Sequence, residues 1–261
     1  MKKLVVKIAI VVVLLLIVGV VVSMFFLGSI VKKGVETVGP GITKTEMKLD
    51  SATLSVMSGS GTLKGFLLGN PEGFKTPQAI KVGTTSVGVK PMSVFGDKVH
   101  VTHVRVEAPE IMFEVQGLNV RANNLSKILD NVSGGAAATP PSPGQPAPKS
   151  EGAAKKLQVD DFLISGAKLS VSSTMMGGKQ ATVLLPEIHF TNLGQGPDGI
   201  TAAELTKRVL NEVLAVAIPA AEKALKDAAK GVTDAVNDLT KGGTNSLEKV
   251  TKGVGDLFKK K

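Results

Sequence analysis

The sequence predicts an α+β fold: an N-terminal transmembrane helix, an antiparallel β-rich domain made of repeated strand units in a curved or U-shaped sheet, and C-terminal amphipathic helices. Three observations predict it. Residues 8–27 are uncharged and mostly Val, Leu and Ile. An apolar pattern of Val101, Val104, Val106, Ala108, Ile111 and Phe113 returns as Val159, Phe162, Ile164, Gly166, Leu169 and Val171. From Thr201 onward the apolar period changes from two to three and four, the change expected between strand and helix.

A helix rises about 1.5 Å per residue, so the 20 residues from Ile8 to Leu27 span a hydrocarbon core of about 30 Å. The competing reading is a cleaved signal peptide. Against it, the run exceeds an h-region of about 7–15 residues, and no small-x-small pair closes it. Lys2, Lys3 and Lys7 precede the run, and Lys32 and Lys33 follow it beside Glu36. That asymmetry favours a cytoplasmic N-terminus, with the remainder exported. Residues 1–34 form the expected anchor.

The composition narrows the function classes. There is no Cys, which excludes disulfides, thiolate metal sites and a Cys nucleophile. Aromatic residues make up 3% of the chain, with no Trp and no Tyr. The formal charge is +9, but it is scattered and not interleaved with stacking side chains, so no nucleic-acid partner is expected. The terminal lysines suit an anionic membrane surface instead.

Gly39-Pro40-Gly41 is expected to break the chain after the anchor. A first β-rich module is predicted over 43–132, with Leu54 and Val56 alternating with Thr53 and Ser55. Asn70-Pro71-Glu72-Gly73 reads as a tight turn. It lacks the Gly-Lys-Ser/Thr ending of a phosphate loop. Leu125, Ile128 and Leu129 predict a short helix over Asn123 to Val132. Residues 133–154, rich in Pro, Gly, Ala and Ser, read as a disordered linker. A second β-rich module is predicted over 155–200, with Pro186 dividing two further strands.

The two copies of the apolar pattern share the spacing 3, 2, 2, 3, 2 and lie 58 residues apart. Steps of two mark a strand with one apolar face; steps of three mark turns or bulges. Each copy is expected to form a two-strand unit, and repeated units can continue one sheet. Chance agreement between β-rich segments is the alternative.

The helical region is expected over 201–261. Thr201-Ala202-Ala203-Glu204 is a capping box. Leu205, Val209, Val213 and Val216, with Leu210, Leu214 and Ala217 beside them, form a stripe wide enough to pack on a sheet. Pro219 is expected to end or kink the helix. Val232 to Leu257 then carry a looser amphipathic seam, weakened by Gly242 and Gly243.

No catalytic constellation emerges. His100 and His103 stand three apart on a predicted strand, which alternation assigns to opposite faces. Asp160 and Asp161 are adjacent and expected to point apart. Glu107 and Glu110 flank Pro109 at a solvated bend. No Gly-x-Ser-x-Gly elbow is present. The expectation is a protein that is not an enzyme, with no catalytic residues, no cofactor and no metal.

Certain stretches resemble a family. They are Val35-Glu36-Thr37-Val38-Gly39-Pro40-Gly41-Ile42-Thr43, Ser58-Gly59-Ser60-Gly61-Thr62-Leu63-Lys64-Gly65, Gly69-Asn70-Pro71-Glu72-Gly73-Phe74, Ala108-Pro109-Glu110-Ile111 and Asn123-Asn124-Leu125-Ser126-Lys127-Ile128-Leu129. With the apolar N-terminus, they resemble the AsmA-like proteins of bacterial envelopes over roughly residues 1–200. The resemblance implies an inner-membrane protein with a periplasmic β domain. Large relatives form U-shaped grooves associated with lipid movement to the outer membrane. This chain is short for such a groove, and the family supplies no catalytic residues.

Two functions are therefore expected to compete. One is cell-envelope maintenance or lipid handling, with Val104, Val106, Ile111, Phe113, Leu169 and Val171 lining an apolar groove for phospholipid. For these six residues, the bland alternative is a core beneath the C-terminal helix. The other function is a structural or stress-related interaction protein that binds envelope partners through its C-terminal helices. In both, residues 8–27 engage the lipid bilayer.

Overall fold

A computed structural model describes residues 27–55, 57–117, 119–134, 155–173 and 180–241, with side chains as far as 230. The predicted span before Leu27, most of the linker and the outer part of the C-terminal seam lie outside the described residues. Among the described residues, no helix is long and apolar enough to cross a membrane.

Helix α1 covers residues 27–43. It runs through Gly39-Pro40-Gly41, where the sequence suggested a break. Gly39 serves close packing there: a β-carbon would lie 2.2 Å from Met47 Sδ. The ten strands are β1 (Met47–Lys48), β2 (Ser51–Leu54), β3 (Ser60–Leu68), β4 (Ile80–Val89), β5 (Lys98–Glu107), β6 (Glu110–Val115), β7 (Lys156–Ser165), β8 (Lys168–Ser173), β9 (Gln180–Leu184) and β10 (Ile188–Leu193). A 3₁₀ turn, Pro91–Phe95, joins β4 to β5. Helix α2 is Asn124–Gly134 and helix α3 is Ala202–Lys241.

All ten strands form one sheet in the order β10-β7-β5-β4-β6-β8-β9, with β3 on β4 and the short β1 and β2 on β3. The sheet is mixed, not antiparallel as expected. The parallel pairs are β5 with β7 and β6 with β8, and both are built from the repeat. Lys98 faces Lys156, Val106 faces Ile164, Ile111 faces Leu169 and Phe113 faces Val171, always at the offset of 58. The copies therefore lie side by side and in register. Parallel neighbours need a crossover of a dozen or more residues, which α2 and the following linker supply. The linker thus returns the chain to the same sheet, so 43–132 and 155–200 are two halves of one layer.

Each step of three in the sequence pattern corresponds to a shared irregularity of neighbouring strands. The buried face reads Val106, Pro109, Ile111 on β5–β6 and Ile164, Ala167, Leu169 on β7–β8. It reads Ile188, Leu185 on the β10–β9 lane and Val82, Thr85 on β4. The inward members of the repeat are thus Pro109 and Ala167. Ala108 and Gly166, their sequence neighbours, sit at the corner with φ of 45° and 65°. Gly65, φ 65°, lies level with Gly83 on the adjoining lanes, and Pro186 marks the corner on the last. Pairing continues across this crease through Ala108 N to Ser165 O (2.8 Å), Lys168 N to Pro109 O (2.8 Å) and Leu185 N to Ala167 O (2.9 Å).

A left-handed conformation costs a residue with a β-carbon about 1–2 kcal/mol, and glycine adopts it freely. Gly166→Ala is therefore expected to lower stability by about 1 kcal/mol. The nearest atom to the new β-carbon would be 3.7 Å away, so backbone strain accounts for the loss. Ala108→Gly, at the equivalent corner, should be neutral or stabilising. Urea unfolding midpoints check both.

The core lies between this sheet and two helices. Leu125, Ile128 and Val132 of α2 and Leu210, Val213, Leu214, Ala217, Ala221 and Ala224 of α3 are buried in one cluster with Ile111, Phe113, Leu169 and Val171. The capping box opens α3 as expected: Glu204 N donates to Thr201 Oγ1 (3.1 Å), and Thr201 N to Glu204 Oε2 (2.7 Å). The Thr201 N–H, then the Thr201 hydroxyl (3.0 Å), hold the Glu204 carboxyl below its ordinary pKa. Pro219 does not end the helix. It lies on the exposed side with Ala215, whose carbonyl would lose its i+4 donor, so water can replace the missing bond.

Candidate functional site

The six proposed groove residues separate into two groups. Ile111 is 3% exposed, and Phe113, Leu169 and Val171 are fully buried. These four cannot line an open groove, because α2 and α3 already occupy that face. Val104 and Val106 are half-buried, packed against the edges of the core.

The polar side chains that sequence reasoning kept apart meet on the outer face of β5, β7 and β10. Val101 and Val104 both pack on one apolar cluster with Val159, Phe162, Phe190 and Leu193. The intervening pairs therefore share the opposite face. Against β4, Thr102 is the extra residue of a bulge, where the register shifts between Gly88 and Val89. Thr102 and His103 both project over Gly88, where a β-carbon would lie 2.4 Å from each. In the same way Asp160 and Asp161, flanked by inward Val159 and Phe162, face outward together. This corrects the expectation that adjacent aspartates point apart. The signal was the step of three from Val159 to Phe162, which brackets them.

Two hydrogen-bonded clusters result, one around each aspartate. His100 Nε2 lies 2.6 Å from Asp160 Oδ2, and Gln158 Nε2 donates to Asp160 Oδ1 at 3.0 Å. His189 Nε2 lies 2.5 Å from Asp161 Oδ1, and Arg105 pairs with the other oxygen of Asp161. The amide of Gln158, then His100, holds the Asp160 carboxyl below its ordinary pKa. His189, then Arg105, does the same for Asp161. A carboxylate with a lowered folded-state pKa contributes stability above its unfolded value of 3.8, and that contribution is lost as pH falls through the folded value. Both sites are partly hydrated, so the effect is small. Gln158→Ala is expected to raise the Asp160 pKa toward 3.8, read from side-chain carboxyl NMR shifts during an acid titration.

This strip is a structural seam between repeat units. A Ser-His-Asp-type relay needs a hydroxyl on the far nitrogen of a carboxylate-paired imidazole. Among the described residues, the hydroxyl on an imidazole is that of Thr102, 3.4 Å from His103, which has no carboxylate partner. No group of three metal-ligating side chains is present among the described residues.

A second polar centre, missed at the sequence level, holds the Asn70–Gln78 loop. Glu114 is 6% exposed. Its carboxylate accepts from Lys75 N (2.9 and 2.8 Å), Thr76 N (2.7 Å) and Thr76 Oγ1 (2.9 Å). Asn124 at the start of α2 accepts from Glu114 N (3.1 Å) and donates to Asn70 Oδ1 and Met112 O, each at 2.7 Å. The loop, strand β6 and helix α2 are thereby tied together. Period-two alternation offered only a weak hint, since Glu114 falls beside Phe113 and Val115 without a matching cation.

The third feature is the seating of α1. Glu36 Oε1 accepts from Leu49 N at 3.2 Å and pairs with Lys32 at 2.9 Å, while Lys32 Nζ donates to Leu49 O. Gly28 and Gly39 let α1 approach β2 and β1 closely. Helix α1, which follows the apolar run in sequence, is thus fastened along the sheet.

No family model matches the chain, and no curated protein or solved structure matches it either.

Proposed function

We propose that the chain is a non-enzymatic, inner-membrane-anchored envelope protein of the AsmA-like kind, with residues 8–27 in the bilayer, the N-terminus cytoplasmic and the sheet in the periplasm. The observation that carries this reading is α1. Its described part, residues 27–43, directly follows the apolar run in sequence and is clamped to the link between β1 and β2 through Glu36, Lys32 and Leu49. On this reading, residues 8–27 hold the sheet at the bilayer by way of α1. The module serves envelope maintenance as a held scaffold. Any phospholipid it handles would meet its outer surface, because the face beneath α2 and α3 is filled.

The competing reading, an interaction protein acting through its C-terminal helix, draws support from α3. This helix continues to Lys241, well past Ala224, its last buried side chain among the described residues. Truncation at Ala221 would not test it cleanly, since Ala221 and Ala224 belong to the core. Removal of residues 231–261 is the better test, and loss of partner capture by an otherwise folded protein would favour this reading.

The anchoring proposal is tested by fractionation. The full chain should stay in the membrane pellet through alkaline carbonate and leave it only with detergent. Recovery of intact protein in the detergent-free supernatant would refute it.

A further inference from the structure

Large apolar side chains standing singly in water are ordinary; a cluster is not. Among the described residues, seven large apolar side chains are strongly exposed, and four of them sit in two touching loops. Met57, 85% exposed, tops the turn between β2 and β3. Met92 and Phe95, each 80% exposed, and Val94 lie on the 3₁₀ turn between β4 and β5. The loops abut at Gly59, where a β-carbon would lie 2.0 Å from Val89 O and 3.1 Å from Pro91 Cδ. Val89 N also donates to Gly59 O at 2.7 Å. The turn that bears Met57 is closed by Gly59 N to Ser55 O and Ser55 N to Ser60 O, each at 2.8 Å.

Cations surround this tip. Lys90 precedes the 3₁₀ turn and Lys155 donates to Val94 O, while Lys98, which follows the turn, donates to Gly196 O at 3.1 Å on the neighbouring loop. Lys156 N bonds Asp97 O at 3.0 Å, which brings Lys156 beside the same loop. Asp97 lies between Lys90 and Lys98, Asp160 is near Lys90 and Glu204 is near Lys156, so these four lysines outnumber the three carboxylates by one. An apolar knob ringed by lysines matches the interface of an anionic bilayer, where methylenes and rings enter the acyl boundary and ammonium groups meet phosphates.

The fold places this tip where the chain would leave a bilayer. Gly28 lies against Ala52, with a β-carbon only 2.0 Å from its carbonyl oxygen. From Ala52, β2 runs two residues to Leu54 and on into the Met57 turn. Ile30, 51% exposed, is on the first described turn of α1 at the same end. We propose that Met57, Met92 and Phe95 form a second membrane contact, dipping into the anionic leaflet beside the point where residues 8–27 enter it. The inference rests on the anchoring proposal for the position of the bilayer.

The chain has no Cys, so single-Cys variants report cleanly. Phe95→Cys, Met92→Cys, Leu184→Cys and Leu15→Cys, each in the full chain, carry an environment-sensitive dye in vesicles of phosphatidylcholine and phosphatidylglycerol. Leu184, 72% exposed on β9 beyond the crease, is the control. Labels at 92 and 95 should be quenched by spin-labelled lipid at least threefold more than the label at 184, and shielded from iodide. If lipid quenches 15 while iodide quenches 95 as freely as 184, the contact is refuted and the anchor stands. Shielding of 95 from both quenchers would assign the tip to a protein partner or a second copy and overturn the proposal. If lipid fails to quench 15, the anchor falls and this inference falls with it.

Discussion

Phe113→Ala is expected to lower the unfolding free energy by about 3–5 kcal/mol, the usual range for emptying a buried aromatic site. Phe113 is fully buried, pairs across the parallel ladder with Val171 and lies in the cluster capped by α2 and α3. A single domain is stable by only about 5–15 kcal/mol, so the variant should unfold at a markedly lower urea concentration. Were Phe113 instead the wall of an open groove, water would already reach it and the same change would cost about 0.5 kcal/mol or less, as for ordinary surface substitutions. The urea midpoint therefore decides between core and groove. Val104→Ala, at a half-buried site, should cost clearly less.

Glu114→Ala is the second large effect, about 2–3 kcal/mol, because it removes the acceptor of two backbone N–H groups and a hydroxyl at a buried position. The carboxylate makes no ion pair among the described residues, so its partners are these neutral donors. Removing it should release the Asn70–Gln78 loop, seen as faster amide exchange at Lys75 and Thr76 while the amides of β7 and β10 stay protected. Glu114→Gln keeps the volume but turns an amide group toward N–H donors, so it should restore only part of the loss. Full recovery by Gln would show that the charge contributes nothing there.

The parts of this fold legible in the sequence were those with a period. The offset of 58 predicted a repeat, and the repeat is the parallel ladder itself. The capping box at Thr201 and the short helix from Leu125 to Leu129 follow from local patterns that need no tertiary knowledge. Strand direction was not legible, because alternation of side chains is the same in parallel and antiparallel pairs. Pro219 misled because its effect depends on which side of the helix it faces. Asp160 and Asp161 misled because strict alternation fails across a bulge, although the step of three recorded that bulge in the spacing. Glu114 was hidden because its partners are backbone groups of a distant loop, and sequence does not display those. The surface strip of His100, His189 and Arg105 was assembled by pairing between lanes, which single-strand reasoning cannot reach.

The proposed tethering of the sheet at a bilayer unites α1 and the apolar tip. Its most direct test is the sidedness of single cysteines in intact spheroplasts, using a maleimide that cannot cross the inner membrane. Lys3→Cys should stay unlabelled until the membrane is opened, whereas Leu184→Cys should label at once. Equal labelling of both before lysis, or of neither, would contradict the account.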